Sequence, residues 1–207
     1  MEKNQAPGEW TGFRGRFYAW LFSTYSRKIL EFLIFGNYWS ALKREISKRI
    51  KTGDETVLDI GAGSGNFSII LAKKLRSGKV ISLDLSTEMT DFLMAKARKK
   101  SLQDRILVLN RDAGATGLEN VSVDWIVSGN CMHEISNPKK IWTEMHRVLK
   151  PNGAVFVVDF LDWHGFHGKE AHGPYSVREL TDLFSGAQFR NISVVQKRHF
   201  VVGIAEK

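Results

Sequence analysis

The stretch Val57-Leu58-Asp59-Ile60-Gly61-Ala62-Gly63-Ser64-Gly65-Asn66-Phe67 constrains this chain more than any other part of it. A short apolar run meets three alternate glycines, and an apolar segment of helical spacing follows. That order reads as a strand, a tight loop and a helix start. Glycine reaches positive φ without a Cβ clash and lets a ligand approach the backbone closely. A helix opening from such a loop presents N–H groups with no partner inside the helix.

Counting outward from the loop places the rest. Before it, residues 38–51 read as a helix, with Trp39, Leu42, Ile46 and Ile50 at helical spacing. After it come a helix over 67–78, a strand over 80–84 ending on Asp84, and a helix over 86–100 with Ser86 as N-cap. Strands follow over 106–110 and 124–128, and a helix begins at Pro138 with Ile141, Trp142, Met145, Val148 and Leu149 on its apolar face. Pro151-Asn152-Gly153 reads as a turn before a strand over 154–159; a helix over 176–186 and strands over 191–195 and 200–204 close the chain. The strands are almost wholly apolar, as expected when helices cover both sheet faces. The expected fold is α/β: a doubly wound, mostly parallel seven-stranded sheet with an added helical N-terminal segment. In such sheets ligands sit beyond the carboxyl ends of the strands at the switch point.

A chain of 207 residues suits one such domain. We expect residues 51–207 to form it as a single globular unit and residues 1–50 to act as a helical lid or acceptor segment. Within 1–50, residues 13–36 crowd aromatic side chains (Phe13, Phe17, Trp20, Tyr25 and Phe32 among them) between Arg14, Arg16, Arg27 and Lys28. The apolar runs there are far shorter than the roughly 18–20 residues that span a bilayer. Three readings stay open: helices packed on the core, a lid over an apolar pocket, or peripheral contact with an anionic membrane. The polar start over residues 1–7 does not read as a secretory signal. The single cysteine, Cys131, excludes an internal disulfide and a cysteine-built zinc site, and it suits a cytoplasmic location. A net charge of +8 permits anionic partners, nucleic acid included, without requiring them.

The loop's spacing narrows its ligand. A dinucleotide fingerprint places its third glycine at the sixth position. Here Asn66 stands there and the third glycine arrives one residue early, as Gly65. No Gly-Lys-Ser/Thr follows, so it is not a phosphate-binding Walker loop. Asp84 ends the next strand, about 20 residues on, where a carboxylate can accept hydrogen bonds from ribose hydroxyls.

Asp59-x-Gly61-x-Gly63-x-Gly65 resembles the first motif of class I S-adenosylmethionine-dependent methyltransferases, and the resemblance runs from about residue 51 to 158. Asp84, the pair Asp112-Ala113, the run 124–128 and the turn 149–154 fall on further motifs of that family. The run looks most like its ubiquinone/menaquinone-type and other small-molecule methyltransferases. The resemblance implies S-adenosyl-L-methionine as cofactor. Asp59 would order the turn and help hold the methionine ammonium. Gly61, Gly63 and Gly65 would line the amino-acid part, Asp84 the ribose, Leu85 and Met89 the adenine faces, and Asp112 and Ala113 the adenine edge. Asn130 would border the same site.

Acceptor-side candidates lie after the fourth and fifth strands. His133 suits proton transfer near neutrality, and Glu134 is a second candidate base. His164 and Tyr175 belong to a loop over 162–175 that also carries His167 and His172; its spacing matches no metal signature, and no metal is expected. The expected function is methyl transfer to a small, apolar or aromatic acceptor. The alternatives are an RNA or protein methyltransferase, or a non-catalytic S-adenosylmethionine-binding regulatory protein. Nucleic acid is not favoured, since Ser128-Gly129-Asn130-Cys131 follows the fourth strand where an Asn-Pro-Pro-Tyr-type run would be sought. The sequence leaves the oligomeric state open.

Overall fold

The computed structural model describes residues 38–135, 137–160, 175–197 and 200–207. The aromatic segment over 13–36 and the histidine-rich loop with His164, His167 and His172 lie outside the described residues, as does His199. The chain runs α1 (Tyr38–Arg49), β1 (Thr56–Ile60), α2 (Asn66–Ala72), β2 (Lys79–Asp84), α3 (Thr87–Lys99), β3 (Ile106–Asn110), β4 (Val123–Gly129), a 3-10 turn (Met132–Glu134), α4 (Pro138–Val148), β5 (Leu149–Phe160), α5 (Val177–Gly186), β6 (Arg190–Gln196) and β7 (Phe200–Glu206).

The seven strands form one sheet in the order β3-β2-β1-β4-β5-β7-β6. Strands β1 to β5 pair in parallel. Strand β7 is antiparallel to both β5 and β6. The order reverses between β1 and β4, which makes their carboxyl ends the switch point of the expected doubly wound sheet.

Alternate residues of each central strand feed two cores. Val57, Val80, Trp125 and Phe156 pack with Leu42 and Ile46 of α1 and with Phe67, Ile69 and Leu71 of α2. Leu58, Ile60, Leu83, Ile126 and Val155 pack with Ile141, Trp142 and Met145 of α4 and with Leu180 and Phe184 of α5. Burial dominates capping in α4. Its N-cap Asn137 accepts one N–H, from Lys140, and Pro138 opens the helix. Such a cap contributes about 0.5–2 kcal/mol, whereas each buried large apolar side chain contributes roughly 1.5–3 kcal/mol. Trp142 meets Phe184 edge to face with ring centres 4.6 Å apart.

Two elements differ from expectation. Helix α2 stops at Ala72 instead of near Gly78, because the N–H groups of Arg76 and Gly78 donate to the Gly53 carbonyl and draw the chain back toward β1. Strand β5 begins at Leu149, so the Pro151-Asn152-Gly153 turn lies inside it. Asn152 takes φ +63° there, and the pairing with β4 shifts register between Val123 and Trp125. Among the described residues no helix is long and apolar enough to cross a membrane.

Candidate active site

The glycine loop connects β1 to α2 at the switch point. Gly61 has φ +66°, and a Cβ on it would sit 2.1 Å from Cys131 Sγ. Close packing therefore excludes a side chain there. Gly63 differs: its φ is +49°, and among the described residues a Cβ would meet nothing within 4 Å. The loop is fastened at its start, where Ala62 donates its N–H to the Leu83 carbonyl over 3.0 Å, and closed by Gly65 donating to the Ala62 carbonyl over 2.8 Å. From α3, Lys96 Nζ donates to the Ser64 carbonyl over 2.9 Å.

Asp84 stands opposite. Its Oδ2 accepts the Gly63 N–H at 2.7 Å and its Oδ1 accepts the Ser86 N–H at 2.9 Å. Burial raises its pKa, while these backbone N–H groups oppose the rise. Each oxygen keeps acceptor capacity beyond the one backbone bond. Next to it, Leu85 is 58% exposed, a large apolar side chain beside an open loop, while Met89 is buried behind it. Asn110 at the end of β3 donates its side-chain amide to the carbonyls of Asp84 (3.1 Å) and Leu85 (2.8 Å), which fixes that corner.

The other expected cofactor residues are placed as follows. Asp59 is fully buried under α2, where its Oδ2 accepts the Ser68 hydroxyl at 2.5 Å and Ser82 Oγ donates to Ser68 Oγ at 2.8 Å. Burial pushes its carboxyl from 3.8 up to about 7. Asp59 thus ties β1 to α2 from beneath the loop. Asp112 is exposed; it accepts the Gly114 N–H at 2.7 Å and Lys140 Nζ at 3.3 Å, holding the segment after β3 to α4. Ala113 packs beside it on the α4 side of the core. Asn130 takes φ +53° and donates its N–H to the Val158 carbonyl. Its Oδ1 and the Ser64 Oγ are buried with no hydrogen-bond partner among the described residues. An open left-handed glycine, a paired carboxylate and two orphaned buried oxygens fit a polar ligand with an apolar face against Leu85.

Beyond Asn130, the described acceptor-side candidates His133, Glu134 and Tyr175 gather near the ends of β4 and β5, while His164 lies outside the described residues. His133 is buried in the 3-10 turn. Its backbone N–H donates to Asp159 Oδ2 at 2.9 Å, and its Nδ1 lies 2.5 Å from Asp159 Oδ1. Its Nε2 lies 3.8 Å from Glu134 Oε1, and Glu134 is half-buried. Burial lowers the His133 pKa, but the hydrogen bond and charge of Asp159, with Glu134, outweigh it and the net shift is upward. Tyr175 is buried, and burial with the charges of Asp159 and Glu179 pushes its phenol up to about 12. Burial and the neighbouring carboxylates also push the Cys131 thiol well above its ordinary value. Away from this corner, His146 sits edge-on to Phe189 and is structural.

Sequence reasoning missed Asp159, Asn110, Lys96 and Ser68. A signal existed for Asp159, which stands one residue before the end of an apolar strand, much as Asp84 ends β2.

Comparison with known proteins shows what this geometry is similar to. A methyltransferase-domain model matches residues 57–153. The crystal structure of a SAM-dependent methyltransferase from Aquifex aeolicus superposes with a TM-score of 0.69 at 28% identity, over 81% of this chain and 88% of that one. Over residues 57–153 in sequence, and in fold, the chain is similar to class I S-adenosylmethionine-dependent methyltransferases. A demethylmenaquinone methyltransferase of Lactobacillus johnsonii is 33% identical to it over 112 residues, 54% of this chain and 46% of the relative. The chloroplastic 2-phytyl-1,4-beta-naphthoquinone methyltransferase of Arabidopsis thaliana is 34% identical over 116 residues, 53% of this chain and 43% of the relative. The chain therefore spans about half the length of the curated relatives it matches. The matched residues hold the glycine loop, Asp84 and His133, and stop short of Asp159.

Proposed function

We propose that this chain transfers a methyl group from S-adenosylmethionine to a small, apolar or aromatic acceptor. The observation that carries the reading is the pairing of Gly63 with Asp84 beside exposed Leu85. Gly61, Gly63 and Gly65 would admit the amino-acid part of the cofactor, with Asn130 at its border. Asp59 supports the loop from below. Asp84 would take the ribose hydroxyls, Leu85 and Met89 would flank the adenine, and Asp112 with Ala113 would meet its edge. When bound, the cofactor supplies a methyl already activated by its sulfonium. The chain must then align the acceptor in line and exclude water, and positioning of this kind can account for much of a rate enhancement.

Two considerations support an apolar or aromatic acceptor. The named relatives methylate naphthoquinone-type compounds according to their names. The aromatic residues over 13–36, assigned to the acceptor segment 1–50, supply apolar surface in the sequence. His133 is the proposed base where the acceptor must lose a proton, and Glu134, His164 and Tyr175 complete the proposed acceptor side. We assign a cytoplasmic location on the strength of the lone Cys131.

The test is a screen with donor labelled in its methyl group, covering reduced quinones, catechols, thiols, amines, metalloid oxyanions and RNA. Labelled product from an apolar aromatic compound supports the proposal. Label appearing only in RNA contradicts it.

A further inference from the structure

We infer that Asp159 is a positioning residue that sets His133 as the base for an acceptor carrying an aromatic or enolic hydroxyl. The inference rests on the methyl-transfer reading and adds the acceptor's chemistry to it.

Both oxygens of the fully buried Asp159 carboxylate reach His133. One accepts the His133 backbone N–H and the other lies 2.5 Å from ring Nδ1. The backbone bond fixes the turn and the ring bond fixes the imidazole's rotation. With Nδ1–H donating to the carboxylate, the basic lone pair of the neutral ring lies on Nε2. Burying a carboxylate costs several kcal/mol, and a neutral side chain suffices to hold a turn, as Asn137 does at the start of α4. A carboxylate does what a neutral cap cannot: it favours the imidazolium that forms when the ring takes a proton.

The pair sits where a base is needed. Cys131 Sγ packs against Gly61 of the donor loop, and His133 is two residues further on. Among the described residues, the neighbouring Tyr175 and Cys131 leave the proton-accepting role to His133. Tyr175 and Cys131 keep their protons around neutrality, since burial and negative charge push both upward. Glu134, from the same turn, adds a second negative charge near Nε2.

A base helps only an acceptor that must lose a proton. A phenol-type hydroxyl titrates near 10, roughly three units above an ordinary imidazole, which a proton transfer during attack can bridge. A water-like hydroxyl near 15.7 lies about nine units away. In the proposed step the acceptor's O–H bond breaks and its proton goes to His133 Nε2. The electron pair so released forms the new bond to the methyl carbon, from oxygen or from the conjugated ring carbon. The carbon–sulfur bond breaks, and its electrons return to the donor's sulfur. Where the ring carbon attacks, its own proton leaves as the ring regains aromaticity. The imidazolium then releases its proton to solvent.

The first test needs no acceptor. Nitrogen-15 NMR of histidine-labelled wild-type chain should show neutral His133 as the Nδ1–H tautomer, and Asp159→Asn should lower its titration midpoint. An Nε2–H tautomer in the wild type overturns the inference. The second test uses 1,4-naphthohydroquinone and catechol as hydroxyl probes, with iodide as a nucleophile that has no proton to lose. Asp159→Asn should lower kcat on a hydroxyl probe about a hundredfold, move the acid limb of the kcat profile to lower pH, and leave KM and donor affinity nearly unchanged. His133→Asn, which keeps a donor toward Asp159, should lose the same activity while still binding donor. Unchanged kcat and pH profile in Asp159→Asn overturn the inference. So does a chain that binds donor and methylates iodide but neither hydroxyl probe. Failure to bind donor at all overturns the methyl-transfer reading instead, and the wild-type tautomer still decides the His133–Asp159 pairing.

Discussion

Gly63 donates its backbone N–H to Asp84 Oδ2 over 2.7 Å, so the loop after β1 and the end of β2 meet through one charge-assisted bond. Asp84→Asn keeps the shape and removes the charge. A hydrogen bond to a charged group contributes about 1.5–3 kcal/mol, so S-adenosylmethionine affinity should fall roughly 10- to 100-fold. Titration calorimetry measures this directly, and an unchanged Kd would refute the ribose role.

The glycines of the loop should separate by experiment. Gly63→Ala places a methyl at φ +49° that meets nothing within 4 Å among the described residues, so left-handed strain of about 1–2 kcal/mol is what opposes folding. Cofactor affinity should nevertheless drop sharply, because that space is the proposed cradle. Gly65→Ala drives a methyl to 2.0 Å from Leu93 Cδ1, so it carries strain plus an overpacking cost of about 1–3 kcal/mol. Thermal melts run beside calorimetry should show a small melting change with lost binding for the first variant, and a larger melting change for the second.

The contrast between these glycines explains what the sequence could show. The spacing of Gly61, Gly63 and Gly65 named the loop, and Asp84 at a strand end completed it, because both depend on local backbone chemistry. The alternation of apolar strands and helices likewise revealed the doubly wound sheet. Asp159 escaped because its meaning depends on a contact with His133 across 26 positions, created only when β4 and β5 align. Asp59 was read as a loop carboxylate, yet alternation along β1 turns it under α2 to Ser68. The early end of α2 had a similar origin: the Gly53 carbonyl is distant in sequence and adjacent in space.

Stability should vary with pH through Asp59. Its folded carboxyl titrates at about 7 against an ordinary 3.8, so the folded chain binds the extra proton between those values. Stability contributed by this group is therefore full below about 4 and lost as pH rises through 7. Asp59→Asn should flatten that part of the melting profile between pH 4.5 and 7.5. An identical pH slope in both proteins would contradict the assignment.

Glu144 should act with the opposite sign. It accepts the Thr116 N–H and hydroxyl at 2.9 and 2.6 Å and pairs with Arg147 at 2.7 Å, and Arg147 leads the groups that hold its carboxyl down at about 2. Its contribution is present above pH 4.5 and is lost as pH falls toward 2. Glu144→Gln should lower stability at pH 7 by about 2 kcal/mol, with the difference from wild type shrinking in acid. Denaturant melts at pH 7 and pH 3 check both the size and the trend.

The central claim is that the Gly63–Asp84 corner holds S-adenosylmethionine. Titration calorimetry of the purified chain with S-adenosylmethionine tests it most directly. Saturable binding at one site, competed by S-adenosylhomocysteine and weakened in Asp84→Asn, is the predicted result. Absence of binding, or binding that Asp84→Asn leaves untouched, would contradict it.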